Sequence, residues 1–177
     1  MLAVGLGSGA PGLLGGSAAR GSSVTTVPRV GDRAPELDLP DQHGERRLLP
    51  ELVADRHLLV VFFPFAFSSI CTGELLEIQL NIDEFVNDRV QVVGVSCDPT
   101  SSLRAWAAQE GYRFPLLSDF WPHGRAARSY GVLDEGTGAA TRGTFLVDPD
   151  RVVTWSLVHG PGEERPIGLL HEAVRGL

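Results

Sequence analysis

The residues best suited to chemistry form one run, "PFAFSSIC", from Pro64 to Cys71. Cys71 is one of only two cysteines in 177 residues. The apolar run before it, "HLLVVFFPF" (57–65), reads as a strand buried on both faces and stopped by Pro64. A helix follows. A thiol at a helix start meets backbone N–H groups that lack partners and a partial positive charge, and both favour its anionic form. Ser68, three residues before Cys71, brings a hydroxyl within reach of the sulfur or of an oxygen bound beside it. Pro64 ends the strand and stiffens the loop.

Thiolate formation alone does not make a fast thiol. Lowering a thiol pKa from about 8.5 to about 6 raises the thiolate fraction at pH 7 roughly 30-fold. Nucleophilicity falls meanwhile by roughly 10- to 18-fold, so the net gain is about two- to three-fold. Rapid attack therefore requires donors aimed at the developing charge. Arg142, in "TRGTFLVD", directly precedes another predicted central strand and reaches the same sheet edge.

The other chemistry-bearing types are sparse. The five histidines are scattered, and no pair has helical metal-ligand spacing, so neither a metal nor another cofactor is expected. No Cys-x-x-Cys is present, which disfavours a disulfide oxidoreductase. All fifteen basic residues are arginine, which removes Schiff-base lysine chemistry. The net charge of −7 argues against nucleic acid or an anionic membrane as partner, and no apolar run has the length of a membrane span. Two cysteines in a chain of this size fit a reducing compartment, so a cytoplasmic location is expected. Cys97 ends a second predicted strand and reads as a small buried hydrophobe; a resolving role remains the alternative.

Around these residues the pattern predicts one domain, 28–177, after a Gly/Ser/Ala-rich tail, 1–27, expected to be disordered. Two short extended segments flank a turn at 41–44. Then come the strand at 57–65, a helix over 71–87 with Leu75, Ile78, Ile82 and Phe85 inward, a strand at 89–96 and a helix at 99–111. A short strand (114–119), a short helix (123–131), a hairpin (143–148 and 151–159) and a terminal helix (167–176) follow. Residues 131–139 read as a turn-rich loop, "GERR" and "GEER" as solvated charges, and Trp106 and Trp155 as core. Strand–helix–strand–helix and then a hairpin implies an α/β fold, a mixed sheet with helices on both faces, as in the thioredoxin architecture. In such sheets the reactive position is the carboxyl end of a central strand, which is where Cys71 falls.

These residues carry a resemblance. "PFAFSSIC" resembles the peroxiredoxin signature Pro-x-x-x-Thr/Ser-x-x-Cys. "VGDRAPELDLPDQHG", "CTGEL", "FPLLSDFWPHG" and "RGTFLVD" follow in family order over about 30–150. "FAFSSICTGEL" and "SDFWPHG" are similar to the one-cysteine alkyl hydroperoxide reductase E type. The resemblance implies a thioredoxin-like fold and a peroxidase cycle. In that cycle the Cys71 thiolate attacks the terminal peroxide oxygen and becomes a sulfenic acid. Ser68 hydrogen-bonds the thiolate or peroxide, Arg142 holds both electrostatically, Pro64 shields the site, and Glu74 orients Arg142. Serine at position 68 replaces the commoner threonine, keeping the hydroxyl and losing the methyl.

No cysteine follows Cys97, and the position five residues past Cys71 is Leu76, which points to a one-cysteine cycle completed by an external thiol. In relatives of this type that thiol is mycothiol with mycoredoxin; thioredoxin is the other option. A homodimer or higher homo-oligomer is the family expectation. Phe65, Phe67 and Trp121 are expected either as an apolar collar favouring alkyl hydroperoxides or as core or interface residues, and His123 as a further pocket residue. Two readings of other classes stand beside the enzyme: a peroxide sensor that relays oxidation from Cys71, and a non-catalytic thioredoxin-like binding module. The joint presence of Cys71, Ser68 and Arg142 argues against the second.

Overall fold

The computed structural model describes residues 26–160 and 162–177. Most of the expected tail, 1–25, lies outside the described residues; Val27, counted with that tail, is partly buried against the core. β1 (Asp38–Pro40) and β2 (Arg46–Leu48) pair antiparallel around the turn, where Asp41 Oδ1 accepts from His43 N at 2.8 Å and Glu45 N at 3.1 Å. A single turn, α1 (Leu49–Leu52), leads into β3 (His57–Phe62).

α2 (Ser69–Leu80) and α3 (Ile82–Phe85) replace the single helix expected over 71–87. The start lies two residues earlier because Ser68 caps it. The break falls at Asn81, whose side-chain amide donates to Glu77 O at 2.9 Å and competes for the helical carbonyl. β4 (Val90–Ser96), α4 (Thr100–Glu110), β5 (Leu116–Ser118) and α5 (Arg125–Ser129) follow. Gly111 closes α4 at φ 73°, a left-handed position suited to glycine. The expected loop at 131–139 contains part of a small hairpin, β6 (Leu133–Asp134) with β7 (Ala139–Ala140). β8 (Arg142–Val147), β9 (Val153–His159) and α6 (Ile167–Arg175) complete the chain.

The five-stranded sheet has the order β5-β4-β3-β8-β9, with β3, β4 and β5 parallel and β8 and β9 antiparallel. β3 is central, and every residue from Leu58 to Phe62 is buried, which explains why its sequence does not alternate. One face carries Val60, Phe62, Phe145 and Val147 against Tyr130 and α1. The other carries Leu59, Val61 and Leu146 against α2, α3, α4 and α6, and Cys71 lies in this second layer. Trp106 is fully buried there, whereas Trp155, on the edge strand β9, is only partly buried.

Candidate active site

The thiol position follows from the end of β3. Pro64 is buried just past the strand. The loop beyond it is pinned where Asp98 Oδ2 accepts from Ala66 N at 2.9 Å and from Ser96 Oγ at 2.8 Å. Phe67 sits at φ 64°, uncommon for a residue with a bulky side chain, and its ring lies against Trp106 with centroids 6.1 Å apart. Ser68 then caps α2, its Oγ accepting from Cys71 N at 3.4 Å. As a cap its oxygen is an acceptor, which leaves its own proton free to point toward sulfur or peroxide. Cys71 is the third helical residue, fully buried, and the first turn of α2 carries no acid to offset the helix dipole.

Arg142, the first residue of β8, supplies the cation. Its Nη2 donates to Cys71 Sγ at 3.5 Å and its Nε to Glu74 Oε1 at 3.2 Å. Glu74 is one helical turn beyond Cys71 and therefore shares its face. A second guanidinium completes the cluster. Arg165 donates from its backbone N to Glu74 Oε1 at 2.6 Å, from Nη1 to Glu74 Oε2 at 3.3 Å and from Nη2 to Phe62 O at 2.6 Å. "GEER" is therefore not a run of solvated charges: Glu163 and Glu164 are exposed, but Arg165 is buried. Burial pulls the Arg165 guanidinium down to about 10, against the opposing pull of Glu74.

Counting these four side chains, two guanidiniums face one carboxylate while Cys71 is a thiol. The Arg142 guanidinium offers donors to the sulfur and to an oxygen bound beside it.

Arg165 was the residue that sequence reasoning missed. A signal existed: an arginine just before a helix opposes the helix dipole, which hints that some other group holds it. Here that group is Glu74.

Of the four expected pocket residues, the three aromatics lie at the surface. Phe65, Phe67 and Trp121 are 51%, 51% and 79% exposed, so none is core. Phe67 turns onto Trp106, and no ring contact joins it to Phe65 or Trp121 among the described residues. His123 Nε2 lies 2.6 Å from Gly138 O, so its ring engages the β6–β7 hairpin. Cys97 is buried at the end of β4, and burial, with Asp119 nearby, pushes its thiol up to about 11. Both cysteines are free thiols. Among the described residues no helix is long and apolar enough to cross a membrane, and no group of three or more His, Cys, Asp or Glu is placed to hold a metal.

The likeness to known proteins covers the same elements. The AhpC/TSA family model matches residues 30–156. Alkyl hydroperoxide reductase E of Mycobacterium tuberculosis is 40% identical over 148 residues, 84% of this chain and 97% of that protein. The crystal structure of peroxidoxin BcpB from Mycobacterium tuberculosis superposes with a TM-score of 0.76 at 28% identity, covering 85% of this chain and 98% of that one. Family match, identity and fold agree, and the chain belongs to the AhpC/TSA family.

Proposed function

We propose that this chain is a thiol-dependent peroxidase that reduces hydrogen peroxide and organic hydroperoxides in antioxidant defence. The observation that carries the reading is the Arg142 Nη2 contact to Cys71 Sγ at 3.5 Å at the start of α2. The Cys71 thiolate attacks the terminal peroxide oxygen. The S–O bond forms as the O–O bond breaks, and the departing alkoxide or hydroxide takes up a proton. The products are Cys71 sulfenic acid and an alcohol or water.

Arg142 stabilises the anionic sulfur and the charge developing on oxygen. Ser68 donates its hydroxyl proton to the sulfur or the peroxide. Glu74 holds Arg142 in place through a charge-assisted contact, and Pro64 keeps water from the thiolate. An external thiol then attacks the sulfenic sulfur, water leaves as a mixed disulfide forms, and a second thiol attacks that disulfide and returns Cys71 to the reduced form. The reductant of this reading is mycothiol with mycoredoxin, or thioredoxin. The setting is cytoplasmic and the assembly a homodimer or larger homo-oligomer. The exposed Phe65, Phe67 and Trp121 supply apolar surface for such an interface.

The test is stopped-flow tryptophan fluorescence of pre-reduced protein mixed with one equivalent of peroxide. Trp106 shares a core layer with Cys71 and serves as reporter. A fast change that disappears in Cys71→Ser and leaves one added oxygen by intact mass is the expected result. Loss of two hydrogens instead would assign Cys97 a resolving role. Oxidation no faster than that of free cysteine would sink the peroxidase reading.

A further inference from the structure

Arg142 has a neighbour that the reaction above does not use. β8 and β9 are in regular antiparallel register at this end, and Arg142 pairs directly with His159. Directly opposed residues put their side chains on the same face, with β-carbons about 4.5–5.5 Å apart. Alternation identifies that face. Leu146 on β8, and Trp155 and Leu157 on β9, pack into the layer that contains Cys71, while Phe145 and Val147 belong to the opposite layer. By the same parity Arg142 and His159 both face the Cys71 layer.

The imidazole is tucked in there with a side-chain exposure of 24%. Its Nδ1 lies 3.5 Å from Glu163 Oε2. Its Nε2 is buried and has no hydrogen-bond partner. Packing alone gives no reason to bury an imidazole nitrogen unpaired. The charged groups around it are Arg142 from β8 and Glu163 from the segment between β9 and α6. Beyond Arg142 lie Glu74 and Cys71 from α2, and Arg165, at the far end of the segment that carries Glu163.

We propose that His159 is a titratable positioning residue for the peroxide reaction: its protonated ring, held by Glu163, adds a positive charge beside Arg142 and steadies the segment that delivers Arg165 to Glu74. The inference rests on the peroxidase reading. Its sign is opposite to that of the thiol. Rising pH converts Cys71 to thiolate and speeds the reaction, whereas loss of the His159 proton removes a cation and slows it. The rate constant therefore passes through a maximum, with a descending limb in the range where imidazoles titrate, roughly pH 5–8.

The experiment is the second-order rate constant for Cys71 oxidation by hydrogen peroxide from pH 5 to 9, measured on the full, pre-reduced chain. Wild type is expected to fall about five- to tenfold along the descending limb, the size of effect a unit charge exerts at this range in a partly solvated site. His159→Gln should lose that limb and stay at the low rate, while His159→Lys should keep the high rate as pH rises. Glu163→Gln removes an exposed carboxylate and should move the limb to lower pH without disturbing the fold. A His159→Gln profile that superimposes on wild type overturns the inference, as does a His159→Lys variant that behaves like His159→Gln. If His159→Gln does not fold, an unmoved limb in Glu163→Gln overturns it. A wild-type chain inert to peroxide would overturn the peroxidase reading and this inference together; a reactive wild type with an unchanged His159→Gln overturns this inference alone.

Discussion

Cys71 and Cys97 stand at the same edge of the sheet, one past the end of β3 and one at the end of β4, and both are buried. Their surroundings have opposite signs. Cys71 lies in the first turn of α2 with a guanidinium at 3.5 Å. Cys97 lies near Asp119 and Asp98, and burial first, then these carboxylates, holds it as a neutral thiol with its pKa pushed up to about 11. Burial is common to both, so burial does not distinguish them. In the proposed reaction, oriented positive charge does.

That contrast can be broken at several points. The largest effect expected is from serine at each position in turn. Cys71→Ser should abolish the fast phase with peroxide, and Cys97→Ser should leave it within about two-fold of wild type. Equal losses in stopped-flow traces would end the distinction. Arg142→Gln removes the donor to sulfur while the Glu74–Arg165 pair remains. The rate constant for oxidation should drop roughly 10²- to 10³-fold, the usual cost of losing one such donor.

Alkylation separates the two thiols without mutation. With Cys71 replaced by serine, Cys97 should react with iodoacetamide about 10²-fold slower than a free thiol at pH 8, and speed up only as pH approaches about 11. The fold favours its neutral form. That contribution to stability is therefore complete below the ordinary thiol value of 9.0 and is lost as pH climbs toward about 11. Ordinary alkylation at pH 8 would show that the surrounding carboxylates do not suppress it.

Glu74→Gln leaves two buried guanidiniums without their shared counter-charge. It should lower unfolding stability by about 3 kcal/mol in denaturant titration; a loss below about 1 kcal/mol would mean that the cluster is not held by its charges. Ser68→Ala is the mildest change. It removes the cap on α2 at a cost of about 1 kcal/mol, and because the helix dipole and Arg142 remain, the peroxide rate should fall less than tenfold.

Much of the fold was legible because its signals are local. β3 and β4 are continuous apolar runs, the inward positions of α2 and α3 repeat with helical period, and Asp148 to Asp150 marks the hairpin between β8 and β9. The start of the site was legible for the same reason: Pro64, Ser68, Cys71 and Glu74 fall within one loop and one helical turn. The break at Asn81 was not, since a side chain competing for a carbonyl looks in sequence like any polar helix residue. Nor was the exposure of Phe65, Phe67 and Trp121, because an aromatic type signals burial whatever the loop around it later does.

By itself the sequence determined the type of each element, the order in which they follow one another, and the placement of a thiol and a hydroxyl at a helix start, all of which depend on residues close in the chain. Only the tertiary structure decided the charge balance at Cys71. Arg142 and Arg165 lie 71 and 94 residues from Cys71 along the chain, and each acquires its meaning from a contact. The physical reason is that the energy of a buried charge depends on what surrounds it in space. Which arginine is solvated and which is locked beneath a helix is settled only when β8, β9 and α6 pack against β3 and α2.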